Sequence, residues 1–135
     1  MASVAKDAVI DATPAHWWEA IRDFSALSER LVPGFVTRAE MVGPREREVT
    51  FFNGAVAREY MVGADDERMR LAYTIVDSPM DSSHHNASVQ VITEGDSRCR
   101  VVWSTDVLPD ELAERSEQMM EEGIRVLKST LEATG

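Results

Sequence analysis

The sequence predicts an α+β fold in which a seven-stranded, curved antiparallel sheet wraps around one long C-terminal helix. Residues 35–108 alternate between apolar and polar with a period of two and are interrupted by turn signals. A helical segment separates this run from a first strand, and a single long amphipathic helix follows it. A run of antiparallel strands needs cover on one face, and the terminal helix has to supply it.

The N-terminal elements are a strand and two short helices. The strand is predicted over residues 4–11. Thr13-Pro14 then opens a helix, because Thr13 can act as N-cap and proline loses no needed N–H at the first helical position. Apolar residues recur at i, i+4 and i+7 and form its buried stripe: Trp17, Ile21 and Phe24. A second short helix is expected over residues 23–29, before Pro33-Gly34.

Six strands follow, and turn signals separate them. They are predicted over residues 35–42, 46–52, 55–62, 69–76, 84–93 and 98–108. Asn53-Gly54 is the strongest short hairpin signal in the chain and predicts a two-residue turn. Residues 94–97, Glu-Gly-Asp-Ser, are expected to form the turn of the last hairpin.

The C-terminal helix is predicted from residue 110 to about residue 132, a length of roughly 34 Å. Its apolar face comprises Leu112, Met119, Met120, Ile124, Leu127 and Leu131. On the other face, Glu111 and Arg115, and likewise Glu121 and Arg125, have the i,i+4 spacing that favours ion pairs. A helix about 10 Å wide cannot fill the concave face of a curled sheet, so we expect a cavity between them.

Composition excludes several classes of function. The chain has 135 residues, the size of a single domain, which we take to span residues 1–135. Its net charge of −10 argues against a nucleic-acid partner and against anchoring to anionic membranes. No apolar run approaches the ~20 residues of a membrane span, and the N-terminus does not resemble a signal peptide. We therefore expect no integral membrane segment and a cytoplasmic location.

The sequence contains no pattern for a metal or a cofactor. Cys99 is the only cysteine, so neither an intrachain disulfide nor a cysteine metal cluster can form. The adjacent His84 and His85 would point to opposite faces of a strand, and no zinc or 2-His-1-carboxylate spacing is present. Nucleophile-elbow, Walker and Rossmann motifs are also absent. We expect no metal and no cofactor.

Six segments, in this order and spacing, resemble a known superfamily. They are WWEAIRDF at 17–24, PGF at 33–35, REYM at 58–61, LAYTIV at 71–76, VVW at 101–103 and GIRVLK at 123–128. From about residue 4 to residue 132 the chain resembles the START/Bet v 1-like superfamily (SRPBCC), and within it the bacterial polyketide cyclase/dehydrase-like group. The resemblance implies a helix-grip fold whose central cavity holds lipids, hormones, sterols or aromatic polyketides, with cyclisation or dehydration in some members.

The strand phases and this resemblance together imply which residues face the cavity. They are Ala57, Glu59, Met61, Leu71, Tyr73, Ile75, His85, Val89, Met119, Met120 and Gly123. Gly123 costs about 1 kcal/mol in a helix relative to alanine, and close packing against the sheet is the favoured reason for it. On the last strand we favour the inward phase of Cys99, Val101, Trp103, Thr105 and Val107 over that of Val102 and Ser104.

We interpret the chain as a binder of a small, largely hydrophobic molecule, either a lipid or an aromatic, polyketide-like compound. The alternative is a polyketide cyclase or dehydratase with Glu59 or His85 as general acid/base and Tyr73 as a stabiliser of an enolate. A third interpretation is a module that acts through a protein partner, without a sizeable cavity. Glu59 can also be explained as the ion-pair partner of Arg58, Arg68 or Arg70 at a strand edge. The sequence is also compatible with a homodimer.

Overall fold

Seven strands and two α-helices make up the fold in the computed structural model, which describes residues 2–95 and 97–134. The strands are β1 (Ala2–Ile10), β2 (Val36–Met41), β3 (Glu46–Phe51), β4 (Val56–Asp65), β5 (Arg70–Asp77), β6 (His84–Glu94) and β7 (Arg98–Leu108). The α-helices are α1 (Pro14–Arg22) and α2 (Ala113–Thr134), and a 3₁₀ turn (Asp110–Leu112) precedes α2. Asp96, in the predicted turn 94–97, lies outside the described residues.

The strands form one curved antiparallel sheet in the order β1-β7-β6-β5-β4-β3-β2. This confirms the predicted fold class, a sheet around a long C-terminal helix. The second short helix, expected over residues 23–29, is a π-helical turn at Leu27–Leu31. Strand β4 continues to Asp65, three residues beyond the predicted end.

The β3–β4 hairpin has a loop of three residues, 52–54, and not the predicted two. The Phe51 N–H donates to Ala55 O at 2.9 Å, and the Gly54 N–H donates to Phe51 O at 2.9 Å. Gly54 has a φ of +85°, the left-handed conformation that a three-residue hairpin loop requires. The extra residue shifts the pairing by one, so that Arg47 lies opposite Glu59. A two-residue turn would have paired Glu59 with Glu48.

Helix α2 is fastened to the edge strand β1. The Lys6 Nζ lies 3.1 Å from a Glu117 carboxylate oxygen, and the Lys128 Nζ donates to Val9 O at 2.6 Å. Near the end of α2, the Glu132 carboxylate accepts the Asp11 N–H at 3.1 Å. Because α2 is held at one edge of the sheet, it does not cover the whole concave face. Over the rest of that face, only side chains fill the space.

The core lies between α2 and the concave face of the sheet. Helix α2 contributes a buried stripe: Met120, Gly123, Ile124, Leu127 and Leu131. On β7, the favoured inward phase is confirmed, because Cys99, Val101, Thr105 and Val107 are buried. Trp103, in the same phase, is half-buried and packs against the core.

Gly123 allows α2 to approach the Trp103 indole closely. A Cβ placed on Gly123 would lie 2.8 Å from Trp103 Cζ3 and 3.2 Å from Phe35 Cε2. The first distance is shorter than any van der Waals contact, and both neighbours are rigid rings. Close packing, the favoured explanation for a glycine here, therefore accounts for it.

We expect Gly123→Ala to lower the free energy of unfolding by about 1–2 kcal/mol, although alanine is the better helix former by about 1 kcal/mol. The new methyl group has to displace the Trp103 ring. Chemical denaturation measures the change. Ser129→Ala, at an exposed position of α2, is the control and should be stabilising by a few tenths of a kcal/mol. Stabilisation by both substitutions would show that the Gly123–Trp103 contact does not limit the packing.

Candidate functional site

Two adjoining cavities lie between the sheet and α2. The outer cavity has a volume of about 170 Å³ and the inner cavity about 100 Å³. Five residues line both and separate them: Phe35, Phe51, Glu59, Tyr73 and Trp103. The remaining outer lining comprises Asn53, Ala55, Val56, Ala57, Ile75, Ser78, Pro79, Met80, His85, Thr105, Arg115, Ser116, Met119 and Met120. The remaining inner lining comprises Ile21, Leu27, Leu31, Val32, Val36, Arg47, Leu71, Val89, Gly123 and Leu127.

Most of the residues expected to face the cavity are brought together there. The outer cavity contains seven of them: Ala57, Glu59, Tyr73, Ile75, His85, Met119 and Met120. The inner cavity adds Leu71, Val89 and Gly123. Met61 lines neither. Its side chain packs against the core, where the pairing of β4 with β5 shifts between Met61 and Gly63.

Glu59 forms a buried ion pair with Arg47 across the β3–β4 hairpin. The Arg47 Nε–H donates to Glu59 Oε1 at 2.8 Å, and Arg47 Nη2 lies 2.7 Å from the same oxygen. The third guanidinium nitrogen, Nη1, donates to Phe24 O at 3.1 Å, and the guanidinium carbon lies 3.7 Å from the centroid of the Phe24 ring. The edge partners considered for Glu59, namely Arg58, Arg68 and Arg70, are not its partners: Arg58 pairs with Glu46 and Arg68 with Asp65.

Tyr73 and Trp103 form a polar bridge in the wall between the cavities. The Trp103 Nε1–H donates to the Tyr73 hydroxyl oxygen at 2.9 Å, which leaves the Tyr73 O–H to donate elsewhere. Burial, together with the nearby Glu59 carboxylate, raises the pKa of the Tyr73 phenol well above its usual value. Tyr73 is therefore a neutral hydrogen-bond donor in this wall.

His85 stands where strands β5 and β6 separate. Their backbone pairing ends at Tyr73 and Ala87. Beyond this point side chains replace it: the Ile75 N–H donates to His85 Nδ1 at 3.0 Å, and the Thr74 hydroxyl donates to His85 O at 2.5 Å. Because Nδ1 accepts a hydrogen bond, the proton of the neutral imidazole is on Nε2. Burial lowers the pKa of His85, with the Glu59 charge acting in the opposite direction.

The outer cavity opens to solvent between the hairpin loops and the first turn of α2. Four of its lining residues are exposed and mark this opening: Asn53, Val56, Pro79 and Arg115. Arg115 was expected to pair with Glu111. In residues 2–95 and 97–134 it forms no ion pair, whereas Arg125 pairs with Glu122 three residues before it.

Two aromatic residues of the wall between the cavities, Phe35 and Phe51, and the ion-pair partner of Glu59 were missed in the sequence. Arg47 lies directly opposite Glu59 in the β3–β4 register, and the Asn53-Gly54 signal could have placed it there if the loop length had been known. Phe35 and Phe51 come from an edge hairpin and reach the cavity by tertiary packing, for which the sequence contains no local signal. Ser116 was also missed, although it lies four residues after Leu112 and four before Met120, which places it on the predicted apolar face.

The fold and the cavity place the chain in the helix-grip class. A sequence model of the family described as "Polyketide cyclase / dehydrase and lipid transport" matches residues 1–132. The chain belongs to this family, in agreement with the resemblance found in its sequence. No curated protein sequence matches the chain.

Solved structures share the fold over the whole chain. XoxI from Bacillus cereus is 21% identical with a TM-score of 0.85, and the alignment covers 100% of this chain and 99% of that one. A START superfamily protein from Mycobacterium smegmatis is 11% identical with a TM-score of 0.81, covering 98% and 99%. Norcoclaurine synthase from Thalictrum flavum, in complex with dopamine and hydroxybenzaldehyde, is 14% identical with a TM-score of 0.76, covering 98% and 84%.

The described residues contain neither a metal-binding cluster nor a membrane-spanning helix. Within the described residues, no three side chains of the His, Cys, Asp or Glu type are placed to hold a metal ion. None of the described helices is both long and apolar enough to span a membrane.

We expect Glu59→Gln to lower the free energy of unfolding by about 3 kcal/mol, because it leaves the buried Arg47 charge without a counterion. Chemical denaturation measures the loss. Glu46→Gln is the matched control on the same hairpin: its partner Arg58 is half-exposed, so the loss should stay below about 1 kcal/mol. Equal losses for the two substitutions would contradict a special role for the buried pair.

We expect the protein to lose stability as the pH falls below 6.5, the ordinary pKa of histidine, because the folded state holds His85 neutral and the unfolded state does not. His85→Asn keeps an acceptor for the Ile75 N–H and should flatten this part of the stability profile. His84→Asn removes an exposed neighbour and should leave the slope nearly unchanged. A slope that survives in His85→Asn would assign the effect to other groups.

Proposed function

We propose that this protein binds a small, largely apolar molecule in the outer cavity, with the size of one substituted aromatic ring or a short acyl chain. The observation that carries the proposal is the cavity itself, about 170 Å³ in volume and lined mainly by apolar side chains. An apolar protein cavity of about 150 Å³ is large enough to bind benzene. A four-ring sterol is too large for this space.

The cavity wall offers a few polar groups for orienting such a molecule. The Tyr73 O–H is free to donate, and the neutral His85 presents its Nε2–H as a second donor. A hydroxyl or carbonyl substituent on the ligand would accept from them, while the apolar body contacts Ala57, Met119 and Met120. Few polar groups in a mainly apolar pocket are typical of sites that bind small molecules.

The comparisons support the same class of ligand. The description of the family includes lipid transport alongside cyclase and dehydrase activity. The norcoclaurine synthase structure, which shares the fold, is described as a complex with dopamine and hydroxybenzaldehyde, and each of these compounds contains one aromatic ring. A pocket for one-ring compounds is thus compatible with this fold.

The alternative, a cyclase or dehydratase, is supported by one feature of the cavity. His85 is a neutral imidazole with a defined tautomer beside Tyr73, an arrangement suited to moving a proton during enolisation or loss of water. Glu59 is less suited to this role, because Arg47 already occupies its Oε1. Incubation with a poly-β-keto thioester, followed by mass spectrometry for the loss of one water, tests the alternative. If the alternative holds, the wild type catalyses this loss of water and His85→Asn does not.

We expect Ala57→Leu to abolish binding of 4-ethylphenol, because the larger side chain fills the outer cavity from β4. Binding is measured from the ¹H–¹⁵N resonance of the Trp103 indole, which lines both cavities. Ala64→Leu adds the same bulk at an exposed position of β4 and should bind like the wild type. Equal affinities for all three proteins, or no binding by the wild type, would overturn the proposal.

A further inference from the structure

The outer cavity carries an uncompensated positive charge. Its titratable lining residues are Glu59, Tyr73, His85 and Arg115. Glu59 is neutralised by Arg47, Tyr73 is a neutral phenol, and His85 accepts a hydrogen bond on Nδ1 and is therefore neutral. Among the described lining residues, Arg115 alone contributes a net charge to the cavity, and it does so in a chain whose net charge is −10.

Arg115 does not stabilise helix α2. It lies in the first turn of α2, where the helix dipole disfavours a cation and favours an anion. In the described part of the chain it forms neither an ion pair nor a hydrogen bond, although most of the other basic side chains have partners. An exposed, unpaired guanidinium at the opening of an apolar cavity is available to an anionic ligand.

Ser116 provides a second, independent observation. The residue is buried, with a relative exposure of 6%, and it lines the same cavity. Within residues 2–95 and 97–134, its hydroxyl donates only to the Met80 sulfur, at 3.9 Å. A thioether is a weak acceptor, so the hydroxyl lacks a strong partner within the protein. A buried donor beside an unpaired guanidinium is suited to a ligand oxygen.

We propose that the ligand of the outer cavity carries a carboxylate, which binds at the opening to Arg115 and Ser116 while the apolar body occupies the interior. This inference rests on the proposed function and adds the chemical class of the ligand. The planar guanidinium matches a carboxylate in a bidentate geometry, and the Ser116 hydroxyl supplies one further donor. One guanidinium also matches the single charge of a carboxylate.

The test compares 3-phenylpropionate with its neutral isostere 3-phenylpropanamide. Affinities are measured at neutral pH from the Trp103 indole resonance, in the wild type and in Arg115→Gln. We expect the wild type to bind the acid about fivefold more tightly than the amide, the gain typical of a partly exposed charge-assisted contact. Arg115→Gln should bind the acid and the amide equally and retain the wild-type affinity for the amide. Ser116→Ala should weaken binding of the acid by a smaller factor.

The matched control is Arg125→Gln, which removes the same charge from an exposed position of α2 remote from the cavity lining. It should retain the preference for the acid. Equal binding of acid and amide by the wild type would overturn the carboxylate site and leave the proposed function standing. The same loss in Arg125→Gln as in Arg115→Gln would also overturn it, since the effect would then be one of overall charge. No binding of either probe by any variant would overturn both proposals.

Discussion

The buried Arg47–Glu59 pair organises the centre of this fold. It joins the neighbouring strands β3 and β4. The third guanidinium nitrogen of Arg47 donates a hydrogen bond to the Phe24 carbonyl, which lies between α1 and the π-helical turn. Removing two charges from water is costly, and this cost is offset only where each charge is well paired. The pair therefore ties three parts of the chain together and leaves no net charge in the wall that the two cavities share.

The polarity of the cavity follows from this neutralisation. With Glu59 occupied by Arg47, the polar character of the outer cavity rests on neutral donors, the Tyr73 hydroxyl and the His85 Nε2–H, and on the Arg115 charge at the opening. Helix α2 is held against β1, and this leaves space between the helix and the other strands on the concave face. Gly123 lets the Trp103 ring lie under the helix and divide that space into two cavities. The site is thus better suited to holding a neutral or anionic molecule than to using Glu59 as a base.

The fold could be predicted because its signals are local. The period of two along the strands, the turn residues and the amphipathic face of the last helix each depend on residues close in sequence. The inward phase of β7 followed from the same alternation, whereas the resemblance anchored the inward phases of β4 and β5 at Glu59 and Tyr73 and alternation then added Ala57. All three residues are buried in the structure. The resemblance to known family members also indicated which residues of the C-terminal helix face the cavity, namely Met119 and Gly123.

The details of the site depend on geometry that a single sequence does not contain. Arg47 was missed as the partner of Glu59, because the three-residue loop changes the register of the whole β3–β4 hairpin and places Arg47 opposite Glu59. Met61 shares the inward phase with Glu59 yet packs against the core beside a shift in the pairing of β4 with β5. Arg115 was paired with Glu111 by helical spacing, but Glu111 lies in the 3₁₀ turn before α2, where that spacing no longer holds.

Native mass spectrometry of the freshly purified protein is the most direct test of a ligand-binding cavity. We predict a reproducible excess over the mass of the polypeptide, matching one small molecule and released by organic solvent or by denaturation. Ala57→Leu should lack this excess, and Ala64→Leu should retain it. A native mass equal to that of the polypeptide, together with an unchanged Trp103 indole resonance in the presence of small aromatic compounds and short acyl chains, would contradict the binding of a ligand in this cavity.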